Sequence, residues 1–154
     1  MKKSQSKTRR PKVVAISGGF DPVHIGHIDL IRAARALGGR LVAILNNDNW
    51  LLQKKGYFFM AEQERKAVLE SIRYVDRVIV TGHQSKPRDM SVCRELKTIK
   101  PDIFANGGDR KADNIPEYEL CNRLGIKMVF NVGGGKKQSS SELVRRVKKG
   151  GHVA

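Results

Sequence analysis

Acidic residues are scarce in this chain: 15 Asp and Glu stand against 30 Lys and Arg, giving a formal charge of +15 over 154 residues with histidine neutral. Cysteine is nearly absent as well. Cys93 and Cys121 share no CxxC spacing, which argues against a disulfide framework and reads both as reduced, small core residues. No apolar stretch reaches the 18 residues of a membrane span, and no signal-peptide core follows the charged amino terminus, so the expected compartment is the cytoplasm. Aromatic residues make up only 6% of the chain, and none interleaves with the basic residues of the first twelve positions. That stretch therefore lacks a stacking platform for bases. Internal repeats and interdomain linkers are missing too. The length fits one domain with a sizeable core, expected over residues 12–150, behind a disordered basic tail at 1–11.

The first twelve residues carry six of the positive charges, leaving +9 on the remainder. A surplus of this size fits a basic nucleic-acid-binding module without turnover, or a site for polyanionic small molecules behind a solvated tail. The second reading is the stronger, and nucleic acid is not the expected partner. A membrane is not expected either.

One block carries most of the chemistry. Ser17-Gly18-Gly19-Phe20-Asp21-Pro22-Val23-His24-Ile25-Gly26-His27 lies between the apolar run Val13–Ile16 and an amphipathic segment with Ile28, Leu30, Ile31, Ala34 and Leu37 at helical spacing. Glycines at a strand exit let a phosphate approach the backbone, and a helix start offers unpaired N–H groups at the positive dipole end. His24 and His27, three residues apart, share one helical face and both can donate to one charged group. The bland alternative is a histidine pair that caps the helix. A zinc site is disfavoured, because no cysteine pair or carboxylate cluster nearby completes a tetrahedral set; no metal-ligating residue is expected.

Strand-like runs at 13–17, 41–45, 77–80, 102–105 and 127–132 alternate with helical patterns at 26–37, 61–74, 89–100, 116–124 and 140–149. This alternation predicts an α/β fold, a Rossmann-like doubly wound sheet of five parallel strands with helices on both faces. Ligands of such sheets bind beyond the carboxyl ends of the strands, where strand order reverses. The loops that follow strands are therefore the informative ones. Asn106-Gly107-Gly108-Asp109 follows the fourth strand; it is either a plain turn or a ligand loop in which Asp109 bonds a ribose hydroxyl, a base edge or magnesium. Residues 135–142 run into a further helix, and Ser139, Ser140 and Ser141 there are either an ordinary cap or hydroxyl ligands. Leu52-Gln53-Lys54-Lys55-Gly56 reads as a mobile basic loop.

His24-Ile25-Gly26-His27, preceded by Gly18-Gly19-Phe20-Asp21-Pro22, resembles the HxGH signature of the cytidylyltransferase-like nucleotidyltransferase superfamily. The likeness extends over roughly residues 12–148, and is nearest to glycerol-3-phosphate cytidylyltransferases and the nucleotidyltransferase domain of ADP-heptose synthase. It implies transfer of a nucleoside monophosphate from CTP or ATP to a phosphorylated sugar or alcohol, with Mg2+ as cofactor. His24, His27 and Lys55 take catalytic roles by this resemblance. Ser17, Gly18, Gly19, Phe20, Asp21, Gly26, Gly107, Asp109, Ser139, Ser140 and Ser141 would bind the nucleotide, and Lys54 and Arg65 the acceptor. The serine motif departs from the family's I-S-T-T pattern: Gln138 stands where isoleucine is usual, and glycine where some relatives carry an upstream arginine, with Lys136 or Lys137 as the candidate substitute. A class I aminoacyl-tRNA synthetase fragment shares the histidine motif, but this chain is too short for an anticodon-binding region. The resemblance also allows a homodimer.

Overall fold

The computed structural model describes residues 9–108 and 110–150. Strands β1 (Val13–Gly18), β2 (Arg40–Leu45), β3 (Arg77–Val80), β4 (Ile103–Ala105) and β5 (Lys127–Val129) form one sheet in the order β3-β2-β1-β4-β5. Every neighbouring pair is parallel, with Val13 of β1 opposite Arg40 of β2 and Val14 opposite Ile103 of β4. The helices are α1 (Ile25–Ala36), α2 (Asp48–Lys55), α3 (Glu62–Glu70), α4 (Cys93–Ile99), α5 (Tyr118–Leu124) and α6 (Ser140–Lys148). The chain winds outward from β1 through β2 to β3, then returns to the other side of β1 for β4 and β5. The reversal therefore falls between β1 and β4, and the crevice beyond their carboxyl ends is where this topology places a ligand.

Side chains alternate across β1 as the pleat requires. Val14 and Ile16 pack with Ile31 and Ala34 of α1 and Leu69 of α3, whereas Ala15 joins Leu96 of α4 and Leu120 and Cys121 of α5 on the opposite face. Val14, Ala15 and Ile16 are fully buried, which explains the unbroken apolar run of a strand covered on both sides. Burying each such aliphatic side chain contributes about 1.5–3 kcal/mol, so two layers of helices on a five-stranded sheet account for the core.

Three elements differ from the sequence expectation. Lys54 and Lys55 are not in a mobile loop: they end α2, which Asn47 caps by accepting a bond from the Trp50 amide and which stops at Gly56 with φ +80°. The expected fifth strand halts at Val129, because Asn131 turns into the left-handed region at φ +53°. Part of the expected tail is docked. Arg10 forms two 2.9 Å bonds with the Asp102 carboxylate, and the Lys12 carbonyl accepts from Gly39 and Arg40. Residues 1–8 lie outside the described residues. Among those described, no helix is long and apolar enough to cross a membrane, and both cysteines are free.

Candidate active site

The crevice between β1 and β4 is a cleft of about 390 Å³. Ser17, Gly18 and Phe20 come to it from the β1 exit, and His24, Gly26 and His27 from the start of α1. Lys55 reaches it from the end of α2, Asn106 and Gly107 from the β4 exit, and Ser139, Ser140 and Ser141 from the start of α6. Four chain segments that are distant in sequence, 17–27 among them, thus meet at one end of the sheet.

The two imidazoles are held by the helix start itself. His27 Nδ1 accepts from the His24 backbone N–H at 3.2 Å, and His24 Nδ1 accepts from the Gly26 N–H at 3.1 Å. An accepting Nδ1 carries no proton, so each neutral ring bears its hydrogen on Nε2. The rings stack with centroids 3.8 Å apart, and Phe20 lies against His27 at 4.9 Å. Glycine at position 26 leaves room for this stack, since a Cβ there would sit 3.0 Å from His24 Cε1 and crowd the ring. Capping and site-building are therefore one arrangement: the cap orients two Nε2–H donors.

Burial pushes the His27 pKa down to about 3, with further lowering from His24 and Lys55. Burial, then Lys55, also lowers His24. Both rings are neutral donors at pH 7. The unfolded chain protonates His27 near pH 6.5 while the folded one refuses the proton down to about 3, so stability falls as pH drops through that window. The slope reaches about 1.4 kcal/mol per pH unit for one such group, or about 2 kcal/mol between pH 6.5 and 5. His27→Gln keeps an acceptor for the His24 amide but cannot titrate. Urea midpoints at pH 7 and pH 5 should converge in that variant relative to the parent chain; an unchanged acid slope would show that His27 is not the buried neutral group.

Opposite the histidines, the segment at 133–137 is pressed onto α1. Gly133 has φ +86°, and a Cβ there would lie 2.8 Å from the Leu30 nitrogen, so only glycine fits. Lys137 Nζ meets Asp29 Oδ2 of α1 at 2.7 Å and holds the segment over the cleft. Ser139 accepts the Glu142 amide as the cap of α6, and Ser140 Oγ donates to the Pro22 carbonyl at 2.9 Å. These two hydroxyls are partly committed to structure; Ser141 is exposed. Lys55 and Lys136 complete a positive rim around neutral N–H donors, a combination suited to a polyanion.

Several expected site residues are not brought into the cleft. Arg65 is fully buried. Its guanidinium donates to the carbonyls of Met60 (2.9 Å), Gly19 (2.9 Å) and Asn46 (2.6 Å) and to Asp48 Oδ1 (2.6 Å). That corrects the acceptor-binding expectation, because four of its five N–H donors bond within the fold and the side chain has no exposed surface. Asp21, 1% exposed, accepts the Phe59 and Met60 amides at 2.6 and 2.7 Å and fastens the segment before α3 instead of facing a nucleotide. Gly19 lies behind the cleft, its Cα backed by Leu51. Lys54 lines a second, adjoining cleft. Asp109 lies outside the described residues.

The structure adds residues that were not singled out in the sequence. Arg110 lines the cleft beside Gly108. Asn106 is 2% exposed, and its Oδ1 has no partner among the described residues while Nδ2 donates to the Phe104 carbonyl. Its place directly after the fourth strand was the available signal. For Arg110 the signal was its position next to the Gly-Gly-Asp run.

A cytidylyltransferase-like family model matches residues 15–146. FAD synthase from Pyrococcus abyssi is 34% identical over 121 residues, covering 78% of each chain. The bifunctional protein HldE from Gluconobacter oxydans is 35% identical over 136 residues, which are 87% of this chain and 27% of that protein. The chain therefore spans about a quarter of such bifunctional relatives. Among solved structures, the lipopolysaccharide core biosynthesis protein from Thermoplasma volcanium superposes with a TM-score of 0.63 at 26% identity, over 84% of this chain and 98% of that one.

Proposed function

This chain belongs to the cytidylyltransferase-like nucleotidyltransferase family, and we propose that it moves a nucleoside monophosphate from CTP or ATP to a phosphorylated sugar or alcohol, of the heptose 1-phosphate or glycerol 3-phosphate kind, releasing pyrophosphate. The observation that carries this reading is the pair of Nε2–H donors, fixed by their own Nδ1 bonds, on two rings that line a cleft shared with the α6 start and Lys55.

In the reaction, an acceptor phosphate oxygen forms a bond to the α-phosphorus as the bond from that phosphorus to the α–β bridging oxygen breaks. The bridging oxygen departs with the electron pair in pyrophosphate. The attacking phosphate is already anionic, so no general base is required, and positioning with charge stabilisation supplies the catalysis. His24 and His27 donate to the phosphate oxygens on which charge accumulates. Neutral donors suit this task, since they need no counter-charge in the free enzyme. Gly18 at the β1 exit and the α6 amides seat the triphosphate.

Mg2+ in this scheme accompanies the nucleotide. The cleft carboxylate Asp29 is paired with Lys137, Asp21 is bound to two amides, and among the described residues no group of three His, Cys, Asp or Glu converges to hold a metal. The described residues thus do not form a cage for it.

A pyrophosphate-release screen that crosses CTP and ATP with phosphorylated sugars and alcohols tests the reading. Release that needs both a nucleotide and an acceptor is the expected result, and nucleotide binding without release for every pair would overturn it. Lys55→Ala should raise the KM for the nucleotide about 10–100-fold, the scale of one charge-assisted hydrogen bond, while kcat changes little. A variant with unaltered KM for both substrates would remove Lys55 from the site.

A further inference from the structure

A second cleft, about 550 Å³, adjoins the first and shares Arg110 with it. The end of α2 stands between the two. Successive residues on a helix point about 100° apart, and here Lys55 lines the first cleft while Lys54 lines the second. The far cleft is walled by Trp50, whose indole N–H donates to the Met90 carbonyl at 2.8 Å, and by Ile115 and Pro116. Its cations are Lys54, Arg88 and Arg110, which form no hydrogen bond or ion pair with other described residues. Its two carboxylates bond to backbone rather than to these cations: Asp89 accepts the Ser91 amide, and Glu117, 4% exposed, accepts the Val92 amide through Oε1 while its buried Oε2 has no partner among the described residues.

This arrangement separates the cations by task. Lys55 and Lys136 face the histidines, where a triphosphate and the attacking phosphate would lie. Arg110 reaches both clefts. Lys54 and Arg88 line the far cleft and not the first, Arg88 also bordering a smaller neighbouring one, and neither forms an ion pair with another described residue. A fixed aromatic wall beside them suits the carbon body of a small molecule. A neutral polyol end would leave two unpaired cations facing it, and an ammonium end would be repelled.

We infer that the far cleft receives the distal end of the acceptor, and that this end carries a second anionic group, carboxylate or phosphate, in addition to the phosphate that attacks the nucleotide. The inference rests on the transferase reading for which molecule occupies the cleft, but its test requires no turnover. Trp50 is the single tryptophan of the chain, so its fluorescence reports occupancy of this cleft directly.

Two matched pairs serve as probes. Glycerol 3-phosphate and 3-phosphoglycerate differ by a carboxylate, and glucose 1-phosphate and glucose 1,6-bisphosphate by a second phosphate. In titrations of the full chain, the doubly anionic member of at least one pair should bind about tenfold or more tightly, and the pair that shows it identifies the second anion. Arg88→Gln combined with Lys54→Gln, both exposed side chains whose loss leaves no buried partner, should bring the members of that pair to within about twofold of each other. Equal binding within both pairs overturns the inference, as does a preference that survives in the double variant. Failure of the transferase reading would appear elsewhere, as the absence of pyrophosphate in the screen, and leaves these titrations interpretable.

Discussion

Replacement of His27 by alanine should lower kcat by about 10²–10³-fold, the scale for losing one preorganised donor at a transition-state oxygen. The geometry argues for the upper part of that range. His27 supplies an Nε2–H donor, and it also accepts the His24 amide and stacks on the His24 ring at 3.8 Å. Alanine removes all three at once, so the second donor loses its support together with the first. The effects of His24→Ala and His27→Ala should consequently be far from additive, with the double variant costing much less than the product of the single losses. Substitution by asparagine, which retains a donor and an acceptor on a shorter side chain, should recover part of the activity. Saturating-substrate turnover, measured as pyrophosphate release with thermal stability recorded in parallel, distinguishes this from a folding defect. An alanine variant with parental turnover would refute the role given to the histidines.

The block from Ser17 to His27 was legible in the sequence because its physics is local. Strand exit, glycine turn, cap and first helical turn occupy eleven consecutive residues, and both ring bonds are made within three residues of each histidine. The parallel sheet was legible for a related reason: β1 and β2 are covered on both faces, so their apolar runs are uninterrupted. Helix α2 was not, because Asp48–Lys55 buries only Leu51 and so shows no apolar stripe. Its signals were the Asn47 cap and Gly56, two punctuation marks around a polar stretch. Reading it as a loop also hid the division between Lys54 and Lys55, since only a helix turns adjacent lysines into different clefts. Arg65 shows the other limit. Its segment matches a family pattern, yet its role is fixed by carbonyls at Gly19, Asn46 and Met60, which only the folded chain brings to one point.

Arg65→Ala should destabilise the fold by about 3–5 kcal/mol, the scale for removing a fully buried charged side chain and leaving its carbonyl and carboxylate partners behind. Asp48 stays beside the void, and the carbonyls of Gly19 and Asn46 lose the guanidinium that joins the β1 exit to the β2 exit. For a domain of this size, 1 kcal/mol corresponds to about 2–4 °C in Tm, so a fall of about 6–20 °C is expected. Lysine retains the charge but concentrates its donors on one nitrogen, which cannot span Met60, Gly19, Asn46 and Asp48 together. Arg65→Lys should therefore recover only part of the loss. The same pair of variants separates the internal role from acceptor binding. If Arg65 is a strut of the β1 and β2 exits, Tm falls in both variants and the acceptor KM of the folded fraction, measured at low temperature, stays near the parental value. A parental Tm with a raised acceptor KM would return Arg65 to the substrate and require the segments at Gly19 and Met60 to open around it.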